Sequence, residues 1–214
     1  MIRVALRALG MLLASACAVA ATAPDSSTSL EKYFDGLHTL RATFTQTVKD
    51  ARGKQVDSTS GTLVVDRPGK FRWEVSPSGG SGGQLLVADG RNVWFLDKDL
   101  DQVTVKPADA ALSSTPAMLL SGAANLRDNF KLASAGNREG LDWVLVEPRG
   151  READFRRALF GFAKGNLQRM IIDDRLGQTA TIEFSSVERN SKVEPQEVSF
   201  TPPKGTDVIG TPAK

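Results

Sequence analysis

The sequence contains few of the residues that catalytic and metal sites use. It has one cysteine, Cys17, and one histidine, His38. A Ser-His-Asp triad would have to use His38, which lies at a polar junction between a predicted helix and a predicted strand, where we expect it to be exposed. A zinc site would need an unusual set of carboxylates. The 25 acidic residues leave catalysis by two carboxylates formally open, but no pair stands out by its setting. We therefore do not expect an enzyme.

Long apolar runs are also missing after the first residues of the chain. Arg3 and Arg7 precede an apolar stretch from Ala8 to Ala20, which small residues follow. This order is typical of a secretory signal peptide, and the stretch is too short to span a bilayer comfortably. We predict that residues 1–21 are a cleaved signal peptide and that residues 22–214 form one exported domain.

Cleavage after Ala20 or Ala21 would leave the mature chain without a cysteine. Disulfide and thiol chemistry would then be excluded. An alternative interpretation is a lipoprotein signal, because the sequence Ala-Ser-Ala-Cys at 14–17 approaches the lipidation pattern. In that case Cys17 would carry a lipid anchor.

The mature chain has no net charge of either sign. Removing Arg3 and Arg7 with the signal leaves 25 basic residues against 25 acidic residues. A neutral chain gives no electrostatic reason to expect a nucleic acid as the partner. About 190 residues are enough for one domain with a sizeable core.

Two segments imitate ligand-binding loops without completing them. Residues 97–101 resemble the start of a calcium loop, but Gln102 stands where glycine is required and Ala108 where glutamate is required. The glycines from Gly79 to Gly83 lack the Gly-Lys-Ser/Thr that completes a phosphate-binding loop. We therefore predict no metal and no cofactor.

The pattern along the chain predicts two short helices and many short strands. Thr28 and Glu31 have capping-box spacing, and an apolar stripe follows them at i, i+3, i+4 and i+7. Pro116 and Gly122 have the positions of start and stop signals for a second helix. From Leu40 the apolar period changes to two, in runs separated by turn signals, which favours an antiparallel sheet that curls.

Several of these runs, such as LLVA at 85–88 and VWFL at 93–96, are apolar on both faces. One interpretation is an ordinary core with helices packed on a sheet. The other is a concave apolar pocket covered by the two short helices. The pattern does not separate them.

Five segments in order resemble the LolA family of periplasmic outer-membrane lipoprotein carriers. They are LRATFTQ (40–46), VVDRPGKFRWEV (64–75), LLVADGRNVWFLDKDLDQV (85–103), TPAMLLSG (115–122) and FTPPKG (200–205). The resemblance implies a mainly β (α+β) fold, an incomplete antiparallel β-barrel whose concave apolar cavity is covered by short lid helices. It also implies a monomer in the periplasm that takes acylated lipoproteins from an inner-membrane ABC transporter and passes them to an outer-membrane receptor. The carrier makes no bond itself.

The resemblance also assigns roles to residues of this sequence. Arg67 matches the arginine that bonds to the lid and holds the empty cavity shut, and Phe71 matches a phenylalanine near the cavity entrance. Strand parity and lid position supply the other candidates. For the cavity these are Trp73, Phe44, Leu63, Val65, Trp94, Phe162, Met170, Ile172 and Phe184, and for the lid helices Leu30, Phe34, Leu37, Met118 and Leu119.

Two other binding proteins remain alternatives. An outer-membrane receptor of the same fold would be anchored through Cys17, although Ala14 stands where leucine is usual in such signals. A lipocalin-like carrier of small hydrophobic ligands would need Gly-x-Trp on its first strand. Here that strand is LRATFTQ, which has no tryptophan.

Overall fold

The computed structural model describes residues 27–77, 82–108, 116–122, 126–151 and 153–213. The predicted signal peptide, residues 1–21, lies outside these ranges. For Met118 the structure describes the backbone but not the side chain. Among the helices of the described ranges, none is both long and apolar enough to cross a membrane.

Twelve strands form one sheet. Their bounds are β1 Thr39–Lys49, β2 Gln55–Asp66, β3 Lys70–Pro77, β4 Gln84–Asp89, β5 Asn92–Asp97, β6 Gln102–Pro107, β7 Phe130–Arg138, β8 Leu141–Pro148, β9 Phe155–Ala163, β10 Asn166–Asp174, β11 Thr179–Arg189 and β12 Asp207–Ile209. Their order across the sheet is β12-β6-β5-β4-β3-β2-β1-β11-β10-β9-β8-β7. All neighbours are antiparallel except β12 and β6. Within the described part of the chain the two end strands do not pair, so the sheet is open.

In the part of the chain that the structure describes, three short helices lie on one face of this sheet. They are α1 (Ser27–Phe34), α2 (Pro116–Ser121) and α3 (Leu126–Asn129). Helix α1 packs against β7 and β8, α2 against β2 and β3, and α3 against β7. The predicted mainly β fold, with an open antiparallel sheet and short helices, is therefore confirmed. We call the face that carries the helices the inner face.

The sheet curls around helix α1. This helix touches β7 and β8, and its last turn also accepts a hydrogen bond from Arg67 in the turn between β2 and β3. Because five strand spacings separate β2 from β8, a flat sheet would place them roughly 24 Å apart. An eight-residue helix is only about 12 Å long, so these contacts require the two halves of the sheet to approach each other.

The period-two pattern places apolar side chains in rows across the inner face. Val65 pairs with Phe71 and Phe71 with Ala88, while Leu63 pairs with Trp73 in the next row. These side chains belong to the larger of two buried apolar clusters, which also contains the apolar stripe of α1. We call this cluster the inner core.

A smaller apolar cluster lies on the opposite, outer face of β4, β5 and β6. It contains Leu85, Val87, Trp94, Leu96, Val103 and Val105. The C-terminal segment covers this side of the sheet, with a 3₁₀ helix at Pro195–Val198 that packs on β2, β3 and β4, and with Phe200 against Trp94.

Candidate functional site

The inner core brings most of the predicted cavity residues together. Phe44, Trp73 and Phe184 form an aromatic group near its centre, with the rings of Phe44 and Trp73 4.6 Å apart. Ile172 packs against the core and is partly buried. The other predicted members that are buried there are Leu63, Val65, Phe71, Phe162 and Met170.

The predicted lid residues cover this core. Leu30, Phe34 and Leu37 belong to it from α1 and the turn that follows, and Leu119 belongs to it from α2. Each is at most 7% exposed. The described helices therefore close the inner face over a surface that is almost wholly apolar.

The prediction for Trp94 is wrong. Its side chain lies in the outer cluster, and its indole Nε1 donates to Asp89 Oδ2 at 2.7 Å. Strand β5 is apolar on both faces, so its sequence did not reveal which residues face inwards. The structure places Val93 in the inner core and Trp94 on the other side, against Phe200.

Several inner-core residues were not among the predicted site residues. Phe160 has the same strand parity as Phe162, which could have identified it. Tyr33 belongs to the apolar stripe of α1, with its ring 5.3 Å from that of Phe162. Phe130 and Phe155 are the first residues of β7 and β9, and their rings stack with centroids 6.2 Å apart. No periodic pattern in the sequence identifies them.

Arg67 connects the sheet to the end of helix α1. Its Nη1 donates to the backbone oxygens of Phe34 at 2.8 Å and Leu37 at 3.3 Å, and its backbone N–H donates to His38 O. Its guanidinium carbon lies 4.9 Å from the centroid of the Phe34 ring. The last carbonyl groups of a helix have no partner within the helix, so a guanidinium suits this position.

The same arginine contacts the end of helix α2. The backbone N–H of Gly69, two residues after Arg67, donates to Ser121 O at 2.9 Å. Gly122 lies directly against the guanidinium, where a side chain would collide with it. One residue therefore contacts two of the described helices that cover the inner core.

A second arginine holds α1 from the other side. Arg189, at the end of β11, donates from Nη2 to Tyr33 O at 2.7 Å, and its guanidinium carbon lies 4.7 Å from the centroid of the Tyr33 ring. Because the C-terminal end of a helix carries partial negative charge, two cations at this end are favourable. Burial lowers the pKa of the Arg67 guanidinium below its ordinary value.

A third arginine joins α1 to α3. Arg127 donates to both carboxylate oxygens of Glu31, at 2.6 and 2.9 Å. The pair is exposed, so it contributes little stability by itself. It nevertheless fixes the position of one helix relative to the next. Three arginines from separate elements thus contact an eight-residue helix that covers an apolar surface.

Comparisons with known proteins agree with this geometry. The family model of the outer membrane lipoprotein carrier protein LolA matches residues 35–201. This chain belongs to the LolA family. Curated members of the LolA family include outer-membrane lipoprotein carrier proteins from Nitrosospira multiformis and Dechloromonas aromatica, which are 43% and 42% identical over 182 residues. In both cases the match covers 85% of this chain and 86% of the relative.

A solved structure shows the same fold at much lower identity. An uncharacterized conserved protein from Thermus thermophilus superposes with a TM-score of 0.52 and is 16% identical. The match covers 86% of this chain and 98% of that one. The LolA range begins at residue 35, directly after the end of α1 at Phe34, so it includes Arg67 and the inner-core strands but none of α1.

Proposed function

We propose that this chain is a periplasmic carrier that shelters the acyl chains of lipoproteins against its inner core. In this proposal residues 1–21 direct export and are removed, and residues 22–214 act as a monomeric carrier domain. An inner-membrane ABC transporter releases a triacylated lipoprotein to it, and an outer-membrane receptor accepts the cargo. No covalent step is part of this cycle. The names of the LolA relatives support the cargo, and the arrangement of the lid supports the mechanism.

The observation that carries the proposal is the position of Arg67, which contacts helix α1 and the end of helix α2 above an apolar core. Phe71 and Trp73 lie in that core on the strand that follows Arg67. In the structure, the core residues pack on one another beneath the helices. Acyl chains would therefore enter by displacing α1 and α2, which exposes the apolar residues to the cargo instead of to water.

The energies of the two states allow such exchange. Each methylene removed from water contributes about 0.8 kcal/mol, so an acyl chain of about 15 methylenes contributes about 12 kcal/mol. A hydrogen bond that involves a charged group contributes only about 1.5 to 3 kcal/mol net. The bonds of Arg67 can therefore close an empty carrier, yet burial of one acyl chain exceeds them. Because the Arg67 hydrogen bonds form again when the lid closes, their free energy favours release of the cargo.

The experiment follows a fluorescent triacylated lipoprotein from inner-membrane vesicles to a soluble complex and then to the outer-membrane receptor. The wild type, Arg67→Leu and Arg72→Leu are compared. Arg72 is a matched control, because it lies five residues further along and is not part of the inner core. We expect Arg67→Leu to take up cargo but to transfer it poorly, and Arg72→Leu to behave as the wild type does.

If the wild type releases no lipoprotein from the vesicles, the proposed function is wrong. The mass of the mature N-terminus separates the carrier from its membrane-anchored alternative. A diacylglyceryl group on Cys17 would identify a receptor, whereas an N-terminus at residue 21 or 22 fits the carrier.

A further inference from the structure

The hydroxyl group of Tyr33 is the polar atom that fits least well into the inner core. The residue is 2% exposed, and its Oη has no hydrogen-bond partner among the residues that the structure describes. Thr59 and Ser191 also have buried oxygens without a partner in the described ranges. Of these three residues, Tyr33 is the one whose ring packs against Phe34 and Phe162 of the inner core.

A hydroxyl in this position is unfavourable for the closed structure. A buried donor without a partner loses its hydrogen bonds to water and gains nothing in exchange. Phenylalanine would fill the same space without that cost, and the neighbouring positions Phe34 and Phe162 are phenylalanines. Within the described residues nothing bonds to this hydroxyl in the closed structure, which leaves it available to a bound ligand.

The backbone and the ring of Tyr33 lie near the start of β1. Arg189 contacts the ring and the backbone oxygen of Tyr33, and it pairs with Leu40 at the start of β1. From Leu40 to Phe44 the strand extends by roughly 13 Å, towards the aromatic group around Trp73. An acyl chain that runs along this path from Leu40 towards Phe44 would have its carbonyl end near Tyr33.

The chemistry of an acylated ligand supplies the missing partner. The carbonyl oxygens of the ester and amide linkages enter with the chains, and they accept hydrogen bonds but donate none. A neutral phenol donates one hydrogen bond. We propose that Tyr33 Oη donates a hydrogen bond to a carbonyl oxygen of an acyl linkage, ester or amide, when cargo occupies the inner core. This inference rests on the proposed function.

Two further observations support the assignment. Burial raises the pKa of Tyr33 to about 12, against an ordinary value of 10.0, so the phenol keeps its proton. Arg189 fixes the backbone and the ring of Tyr33 from the strand side, which limits where the hydroxyl can point. This hydrogen bond would let the site distinguish acyl linkages from plain hydrocarbon, which apolar packing alone does not do.

The test compares ligands that carry different numbers of carbonyl oxygens. The protein purified from the periplasm is titrated with a synthetic tripalmitoyl-cysteinyl peptide, with an analogue whose two esters are ethers, and with an analogue that also lacks the amide carbonyl. The wild type should bind the full ligand about three- to tenfold more tightly than the analogue without carbonyls, the range expected for one hydrogen bond. The ether analogue that keeps its amide shows which linkage is the acceptor.

Tyr33→Phe should abolish this preference while the binding of the analogue without carbonyls stays the same or improves. Phe162→Leu is the matched control, because it disturbs the ring contact of Tyr33 but keeps the hydroxyl. It should weaken all three ligands by similar factors and preserve their ratio. A preference that is equal in the wild type and in Tyr33→Phe would overturn the inference.

Infrared spectra of a ligand with carbon-13 carbonyls give an independent readout. The carbonyl band should lie at lower frequency on the wild type than on Tyr33→Phe, because a hydrogen bond weakens the C=O bond. An unchanged band would contradict the inference even if affinities shift. Failure of the wild type to bind any of the three ligands would instead contradict the proposed function.

Discussion

Gly122 lies so close to Arg67 that a Cβ atom at this position would come within 2.8 Å of the guanidinium carbon. Gly122 also has a positive φ of 65°, where a side chain is strained. We predict that Gly122→Ala displaces Arg67 and opens the lid, with a loss of about 2 to 4 kcal/mol in unfolding free energy. Urea denaturation measures the stability, and lipoprotein transfer should be as poor as we expect it to be for Arg67→Leu.

Gly36 provides the control for this prediction. It has a φ of 63°, but a Cβ atom there would meet nothing within 4 Å. Gly36→Ala therefore carries the backbone strain alone, about 1 to 2 kcal/mol. Equal losses in the two variants would show that the contact between Gly122 and Arg67 has no energetic importance.

Arg189 gives a second prediction about the lid. Arg189→Leu removes the hydrogen bond to Tyr33 O and the contact with its ring. Since the arginine is exposed, we expect a modest loss of about 0.5 to 1.5 kcal/mol, felt mainly by α1. Hydrogen exchange should become roughly three- to tenfold faster for the amides of α1 and stay unchanged in β10. Uniformly faster exchange would indicate global destabilisation and not a loosened lid.

The three tryptophans of the chain can report where acyl chains bind. Trp73 belongs to the inner core, Trp94 to the outer cluster, and Trp143 to neither. We predict that an acyl ligand with bromine on its chains quenches the fluorescence of Trp73 but not that of the other two. Variants that keep one tryptophan each, with phenylalanine at the other two positions, make the measurement. Quenching of Trp94 would place the ligand on the wrong face of the sheet.

The contrast between Trp73 and Trp94 also shows what the sequence could predict. In β3 the alternation of Phe71, Arg72, Trp73 and Glu74 defines the inner face, because charged residues occupy the other one. In β5 both faces are buried, since Val93 belongs to the inner core and Trp94 and Leu96 to the outer cluster beside Phe200, so the alternation disappears. Parity fails wherever a sheet is covered on both sides.

The arginines illustrate a second limit. A family motif pointed to Arg67, but Arg127 and Arg189 have no local signature. Their partners, Glu31 and Tyr33, lie 96 and 156 residues away in the sequence. Contacts of this kind depend on how the sheet curls, which no local pattern records. The spacing of apolar residues predicted the stripe of α1, whereas no sequence pattern predicted the contacts of Arg127 and Arg189 with this helix.

Tyr33 can be titrated directly, because it is the only tyrosine in the sequence. We predict that tyrosinate absorbance appears with an apparent pKa of about 12 in the folded protein and near 10.0 in denaturant. The raised pKa means that stability is complete below pH 10 and falls as the pH rises towards 12, by about 2 to 3 kcal/mol. Tyr33→Phe should lack this component of the fall. Titration near 10.0 in the folded protein would show that the hydroxyl is reached by water.

Glu197, on the outer face, should change the stability with pH in the opposite direction to Tyr33. Its carboxylate accepts hydrogen bonds from Arg41 Nη2 at 2.5 Å and from the backbone N–H of Glu194 at 2.8 Å. These bonds lower the pKa of Glu197 from 4.5 to about 2, with the Arg41 bond as the largest cause. Stability from this pair is therefore present above pH 4.5 and lost as the pH falls towards 2.

We predict that the unfolding free energy of Glu197→Gln falls less steeply than that of the wild type between pH 4.5 and 2. The difference between the two urea-denaturation curves isolates Glu197, because the other carboxylates titrate in both proteins. Since Arg41 and Glu197 join β1 to the C-terminal segment, the variant should also loosen that segment at neutral pH. Parallel pH curves would show that the pair is too well solvated to stabilise the fold. Ligand binding should not change, because Glu197 is not part of the inner core.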